Sequence, residues 1–227
     1  MKNISIDNLV ELKNDSRKII AFCGAGGKTS SIHAIRDYYL KRNKKVLVTT
    51  TTHMFLEEGC VSDIEEIIKK LDRENYAFAG IPMNSENKIE GKSGSSKISS
   101  IPDADRELAQ VHADVTLIEA DGARCLPFKV PKPWEPVIPK ETTDVVLVMG
   151  MDAEGKRISE TCFNPEGVAA ALEVSVQTTL TRELMLEAYM KTYVSLICER
   201  FPAARVFIFM NEKVPGKTII EEGLIAL

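Results

Sequence analysis

Apolar residues gather in short unbroken runs along this chain rather than alternating with polar ones. Ile19 to Cys23, Lys45 to Thr49, Val115 to Ile118, Asp144 to Met149 and Arg205 to Met210 are the clearest, and Tyr76 to Ile81 is a further one. Runs of this length bounded by glycine or polar residues predict strands buried on both faces, the condition of a parallel sheet covered by helices. Helical spacing fills the intervals. A helix is expected from Lys28 to about Lys41, a short one from Pro102 to about His112, and a long one from Thr181 to Arg200. Another follows Ser62-x-x-Glu65, a capping box, with Ile64, Ile67, Ile68 and Leu71 on one face and Glu65 and Glu66 four residues before Lys69 and Lys70.

Strand and helix in alternation predict an α/β fold, a doubly wound and mostly parallel sheet with helices on both faces. Right-handed crossovers bring the C-terminal strand ends to one edge, so the polar residues at Gly24, Thr49, Glu119, Asp152 and Asn211 should converge on one crevice. From Pro82 to Pro102 the chain turns to Asn, Ser, Gly and Lys with little to bury. That stretch reads as a flexible insertion at about 82–102, either open or closed as a hairpin, within one domain spanning 1–227.

Composition narrows the classes. With 227 residues, 44% of them hydrophobic, the chain can bury a substantial core. A formal net charge of −4 argues against a nucleic-acid surface. Five scattered cysteines form no C-x-x-C pair, so neither a structural zinc site nor a disulfide framework is indicated. Reduced thiols and the lack of a membrane-length apolar stretch lead to the expectation of a soluble cytoplasmic protein with no membrane partner.

The first strand breaks into Gly24-Ala25-Gly26-Gly27-Lys28-Thr29-Ser30 and then a helix. Glycines let successive N–H groups turn toward one anion, and the helix start adds its positive end. Residues 24–30 are therefore candidate nucleotide-phosphate ligands, with Lys28 on the outer phosphates and the Thr29 hydroxyl on Mg²⁺. Phe22 stands where the first glycine of a full Walker A motif would be, and the shorter Gly-x-x-Gly-Lys-Thr is similar to the compact loop of the Mur ligases. The fold expected is thus P-loop NTPase-like.

One lysine cannot balance a triphosphate, so a divalent cation is implied, held by Thr29 and one carboxylate. Glu119 and Asp121 end an apolar strand and lie on the same side of it, close enough to share a cation. Glu119 is the expected metal ligand, and the second acid would orient water or a substrate hydroxyl. Arg124, Lys129 and Lys132 sit in a proline-rich loop and either offer charge to an anionic substrate or form a solvated face. The last hydroxyls of Thr49 to Thr52 could reach phosphate or metal-bound water. His53 reads as a structural hydrogen-bonding residue, Trp134 as a packing anchor, and Cys23 and Cys125 as buried inert thiols.

Together, the loop, Thr49-Thr50-Thr51-Thr52-His53, Glu119-Ala120-Asp121-Gly122-Ala123-Arg124, Lys129-x-Pro131 and Glu135-Pro136-Val137-Ile138-Pro139 make the chain resemble the YqeC-type selenium-dependent hydroxylase accessory proteins over about Gly24 to Asn211. The resemblance implies nucleotide binding in the service of selenium-dependent molybdenum hydroxylase maturation, with such a hydroxylase or its cofactor-maturation proteins as partners. It implies that Lys28, Thr29, Thr52, Glu119, Asp121 and Arg124 matter, with Lys28, Glu119, Asp121 and Arg124 catalytic. Two segments depart from it. Relatives often carry His-Arg-Pro-Glu where this chain has Phe163-Asn164-Pro165-Glu166, and Val214 stands where an Asn-Lys-x-Asp element would place its guanine-reading aspartate, which tips ATP slightly ahead of GTP. Three functions stay open: an Mg²⁺-dependent NTPase or nucleotide switch, an ATP-dependent ligase or kinase acting on a small anion, and a sulfur or selenium carrier using Cys23 or Cys125.

Overall fold

The computed structural model describes residues 2, 3, 5, 7–12, 17–83, 96–212 and 224–226. The strands are β1 Lys2–Asn3, β2 Lys18–Ala25, β3 Val46–Thr50, β4 His53–Phe55, β5 Tyr76–Phe78, β6 Ile81–Pro82, β7 Lys97–Ser99, β8 Val115–Glu119, β9 Phe128–Lys129, β10 Asp144–Gly150, β11 Cys162–Phe163, β12 Arg205–Asn211 and β13 Leu224–Ala226. The helices are α1 Asp7–Val10, α2 Lys28–Leu40, α3 Ile64–Glu74, α4 Asp103–Val111, α5 Ile158–Thr161, α6 Pro165–Leu172, α7 Arg182–Tyr189 and α8 Ser195–Arg200.

Eight strands form one sheet in the order β1-β13-β12-β10-β2-β8-β3-β5. From β12 to β5 every pairing is parallel, and β13 and β1 add an antiparallel edge. The sheet is the mostly parallel one the runs predict. All eight residues of β2, all seven of β10 and all five of β8 are buried, as strands with helices on both sides must be. Alternation distributes their side chains. Ile20 and Phe22 pack with Ile32 and Ile35 of α2, whereas Ala21 and Cys23 face Met185, Tyr189 and Tyr193. A third cluster joins Leu47 and Ala77 to Ile67 and Leu71 of α3 and Ala109 of α4.

Several boundaries move. The N-cap of α3 is Asp63, whose carboxylate accepts from Glu66 N at 3.1 Å, one residue beyond the serine of the expected box. The long helix is α7 and α8 joined by a π-helical stretch, Met190–Val194, that brings Tyr193 and Val194 into the core. The expected insertion divides. Residues 84–95 lie outside the described residues, and on either side of them β6 and β7 pair antiparallel in a small sheet ordered β4-β7-β6. The β6–β7 pairing matches the hairpin reading, whereas the addition of β4 and the β9–β11 pair could not be read, because runs of two or three residues carry no readable period.

Order in the sheet reverses around β2. Its successor β3 lies to one side beyond β8, and β10 lies on the other. In open α/β sheets a ligand crevice forms at such a reversal, outside the C-terminal strand ends.

Candidate functional site

A cavity of about 1080 Å³ opens there, lined by Gly26 to Ser30, Thr51 to Phe55, Glu119, Gly122 to Pro127, Lys132, Trp134, Asp152, Lys156 and Phe163, among others. Of the five strand-end residues expected to meet here, Glu119 and Asp152 line the cavity, whereas Gly24, Thr49 and Asn211 are not part of its wall. Asn211 closes the loop from the far side by donating Nδ2 to Gly26 O at 2.6 Å.

The loop takes its shape from left-handed backbone at Gly24 (φ 91°), Gly26 (φ 78°) and Gly27 (φ 128°). At Gly26 a Cβ would come within 2.5 Å of Gly150 Cα and 2.7 Å of Pro127 O, both backbone atoms. Gly26→Ala is therefore expected to destabilise the fold by roughly 1–3 kcal/mol, from φ strain added to that overlap. Gly122, which has open space around it, supplies the alanine control. Urea denaturation of the two variants checks this.

Helix α2 begins at Gly27 with no side-chain cap, and its first internal bond runs from Ser31 N to Gly27 O at 2.9 Å. The N–H groups of Lys28, Thr29 and Ser30 consequently have no acceptor inside the helix and are free for an anion at its positive end. Gly24 differs. Its N–H is already given to Asp121 Oδ2 at 2.9 Å, so the anion-facing arc starts after the first glycine.

Lys28 is buried at the cavity floor. Its Nζ donates to Gly24 O at 2.7 Å and lies 3.0 Å from Asp121 Oδ1 and 3.9 Å from Glu119 Oε1. The cation the two acids share is this ammonium. Burial opposes its charge, yet Asp121 and Glu119 outweigh burial and hold Lys28 protonated above the ordinary lysine range.

The two acids have different surroundings. Glu119 faces the cavity and accepts from Thr29 Oγ1 at 3.0 Å. Burial raises its pKa, while Lys28 and the Thr29 hydroxyl pull it down. Asp121 is wholly buried and is not part of the cavity wall. Besides Gly24 N it accepts from Tyr193 OH at 2.5 Å and lies 3.4 Å from Lys129 Nζ. It joins the loop to β8 and the π-helical turn.

Within the threonine run, Thr49, Thr50 and Thr51 give their hydroxyls to the carbonyls of Ala79, Glu119 and Val137. Thr52 Oγ1 is buried without a hydrogen-bond partner among the described residues and belongs to the cavity wall. Orphaned buried hydroxyls are rare.

Several expectations about the neighbouring loop are corrected. Lys129 is fully buried rather than offered to a substrate, with Nζ on Gly122 O at 2.8 Å and on Glu135 Oε2 at 2.5 Å. Trp134 is 69% exposed at the cavity rim instead of anchoring a core, because the Lys129–Glu135 pair already fixes the loop from beneath. Cys125 is exposed, unlike Cys23, and the His53 ring is exposed without a hydrogen bond to the described residues. Arg124 and Cys125 both have positive φ, 47° and 63°. Arg124 and Lys132 stand over Phe163 at 5.4 and 4.7 Å from the ring centre, a contact the sequence did not reveal.

No cluster of three or more His, Cys, Asp or Glu able to hold a metal occurs among the described residues. That does not conflict with Mg²⁺, which takes one or two protein oxygens and fills its shell from phosphate and water. Thr29 and Glu119, 3.0 Å apart on the cavity wall, fit that share. No helix among the described residues is long and apolar enough to cross a membrane.

Comparison with known proteins gives three findings. A crystal structure of FtsY from Mycoplasma mycoides is similar over 99% of this chain and 68% of that one, with TM-score 0.38 and 13% identity. The chain is similar to YqeC of Escherichia coli (strain K12), 33% identical over 152 residues, which are 62% of this chain and 55% of that protein. The chain thus matches about half the length of that relative. The model of the family described as YqeC protein matches residues 20–166, from the glycine loop through the threonines and both acids to Glu166, and on that match the chain belongs to the YqeC family.

Proposed function

We propose that the protein binds a nucleoside triphosphate with Mg²⁺ at the glycine loop and acts as an NTPase or nucleotide switch. The observation that carries this is a left-handed glycine turn leading into an uncapped helix, whose free N–H groups share one cavity wall with the Thr29–Glu119 pair. Lys28 would exchange its bond to Gly24 O for outer phosphate oxygens, and Thr52 Oγ1 would gain the partner it lacks. Bound Mg²⁺ would supply charge neutralisation between the outer phosphates. Asp121 would serve by holding Lys28 charged and Gly24 in place rather than by ligating metal.

The family resemblance extends the reading to maturation of selenium-dependent molybdenum hydroxylases, the step in which the nucleotide state would be used. Cells lacking the protein should regain hydroxylase activity with the wild-type chain and not with one unable to bind nucleotide. Burial pushes the Cys23 thiol well above its usual range, which weighs against that residue as a sulfur or selenium carrier.

Glu119 supplies the test. The carboxylate binds metal only when ionised, and burial raises its pKa, so Mg²⁺-dependent affinity should fail at a higher pH than for an exposed glutamate as acid is added. Glu119→Gln should remove the Mg²⁺ dependence and weaken binding by roughly tenfold or more. Its effect on stability has the opposite sign. An acid whose folded pKa lies above its unfolded value disfavours the fold while ionised, so the glutamine variant should be as stable as the wild type or more so. Calorimetric titration with and without Mg²⁺, paired with thermal denaturation, reads both; unchanged Mg²⁺ dependence in Glu119→Gln counts against the assignment.

A further inference from the structure

The glycine loop accounts for one end of the cavity only. Specific small-molecule pockets span about 300–1,000 Å³, and this one reaches about 1080 Å³. At its other end three cations line the wall: Arg124, Lys132 and Lys156. None of them makes an ion pair with a described carboxylate, while Glu135 on the same wall is already committed to Lys129. Two aromatic rings stand among them. Lys132 Nζ lies 4.7 Å from the centre of Phe163 and 5.4 Å from that of Trp134, whose indole is largely exposed.

This end is also built to hold its shape. Beneath it, the buried Lys129 ammonium ties Gly122 O to Glu135, and Glu135 Oε2 accepts from Lys132 N at 3.2 Å, so one ion pair fixes both arms of the 122–135 loop. Arg124 and Cys125 are held at consecutive positive φ, a strain that surrounding structure must sustain and that turns up where a side chain has a task. The loop leaves β8 directly after Glu119. Because Thr29 and Glu119 mark the side of the outer phosphates, the cationic end adjoins the terminal phosphate rather than the base.

We propose that the Arg124–Lys132–Trp134–Phe163 end of the cavity is a second subsite, for a small organic anion carrying a flat aromatic or heteroaromatic ring. The anionic group sits against Arg124 and Lys132, and the ring lies on the exposed indole of Trp134. Occupation of this subsite rests on the nucleotide reading only for its position beside the terminal phosphate, not for its chemistry.

Trp134 is the sole tryptophan of the chain, so fluorotryptophan labelling gives one fluorine resonance at the subsite. The resonance is followed during titration with phenyl phosphate, with benzyl alcohol as the neutral comparison, in the presence and absence of a saturating nonhydrolysable Mg–ATP analogue. Phenyl phosphate is expected to give a saturable shift that persists with the analogue bound and weakens by roughly tenfold or more in Lys132→Glu, with benzyl alcohol giving none. The analogue's own affinity, measured by calorimetry, should be retained in Lys132→Glu. A shift that does not saturate, that benzyl alcohol reproduces, that ignores Lys132→Glu or that the analogue abolishes overturns the subsite. If the analogue binds and phenyl phosphate does not, the subsite alone falls. If phenyl phosphate binds through Lys132 and no nucleotide binds, the subsite stands and the nucleotide reading falls.

Discussion

Asp121→Ala is expected to cost about 3–5 kcal/mol of folding free energy, the usual loss when one partner of a buried ion pair is removed. For a chain of this size that is a drop of roughly 6–20 °C in Tm. Asp121 is wholly buried and serves four groups, the N–H of Gly24, the hydroxyl of Tyr193 and the ammonium groups of Lys28 and Lys129. Its removal leaves the buried cations Lys28 and Lys129 each short of one carboxylate partner, and a loop amide and a phenol without an acceptor. Lys70–Glu74, an exposed pair on α3, sets the contrast: Glu74→Ala should cost only about 0.3–0.5 kcal/mol. Urea denaturation of both variants decides the matter. A loss below about 1 kcal/mol for Asp121→Ala would mean that the network does not hold the loop.

Lys28→Met is expected to weaken nucleoside-triphosphate binding by roughly 10–100-fold, corresponding to the charge-assisted contacts of one ammonium with phosphate oxygens. It is the single lysine of the glycine loop. The N–H groups of residues 28–30 give direction but carry only partial charge, and Arg124 and Lys132 belong to the opposite end. The variant also leaves Asp121 with Lys129 as its single cationic partner, so some loss of stability accompanies the loss of affinity. Titration well below the variant's Tm separates the two effects. An unchanged affinity in a folded variant would remove Lys28 from the phosphate site.

Much of this was legible in the residues because the physics is local. A continuous apolar run must be a strand covered on both faces, and glycines followed by Lys-Thr at a helix start leave N–H groups with no internal acceptor, so β2, its loop and α2 could be read directly. The convergence of Glu119 and Asp152 on the cavity followed from strand direction. What could not be read was depth. Alternation places Glu119 and Asp121 on one side of β8 but does not say that one meets the cavity and the other lies under it. Lys129 was expected near solvent because lysine is almost never fully buried unless paired, and its partner Glu135 is six residues on in a proline-rich stretch with no helical register to relate the two. The one available signal was its position between Phe128 and Val130, both fully or nearly fully buried. Exposure of Trp134 follows from that hidden pair. The place of Phe163 under Arg124 and Lys132 depends on a two-residue strand pairing that leaves no periodic trace.

Calorimetric titration of the wild-type chain with ATP and with GTP, each with Mg²⁺ and after its removal by a chelator, tests the central claim most directly. The account predicts saturable binding of at least one of them in the range of about 1 mM or tighter, weakened when Mg²⁺ is withdrawn. Absence of heat or saturation for both nucleotides with Mg²⁺ present would contradict it, because the free helix-start amides, Lys28 and the Thr29–Glu119 pair would then form a cradle that holds no phosphate.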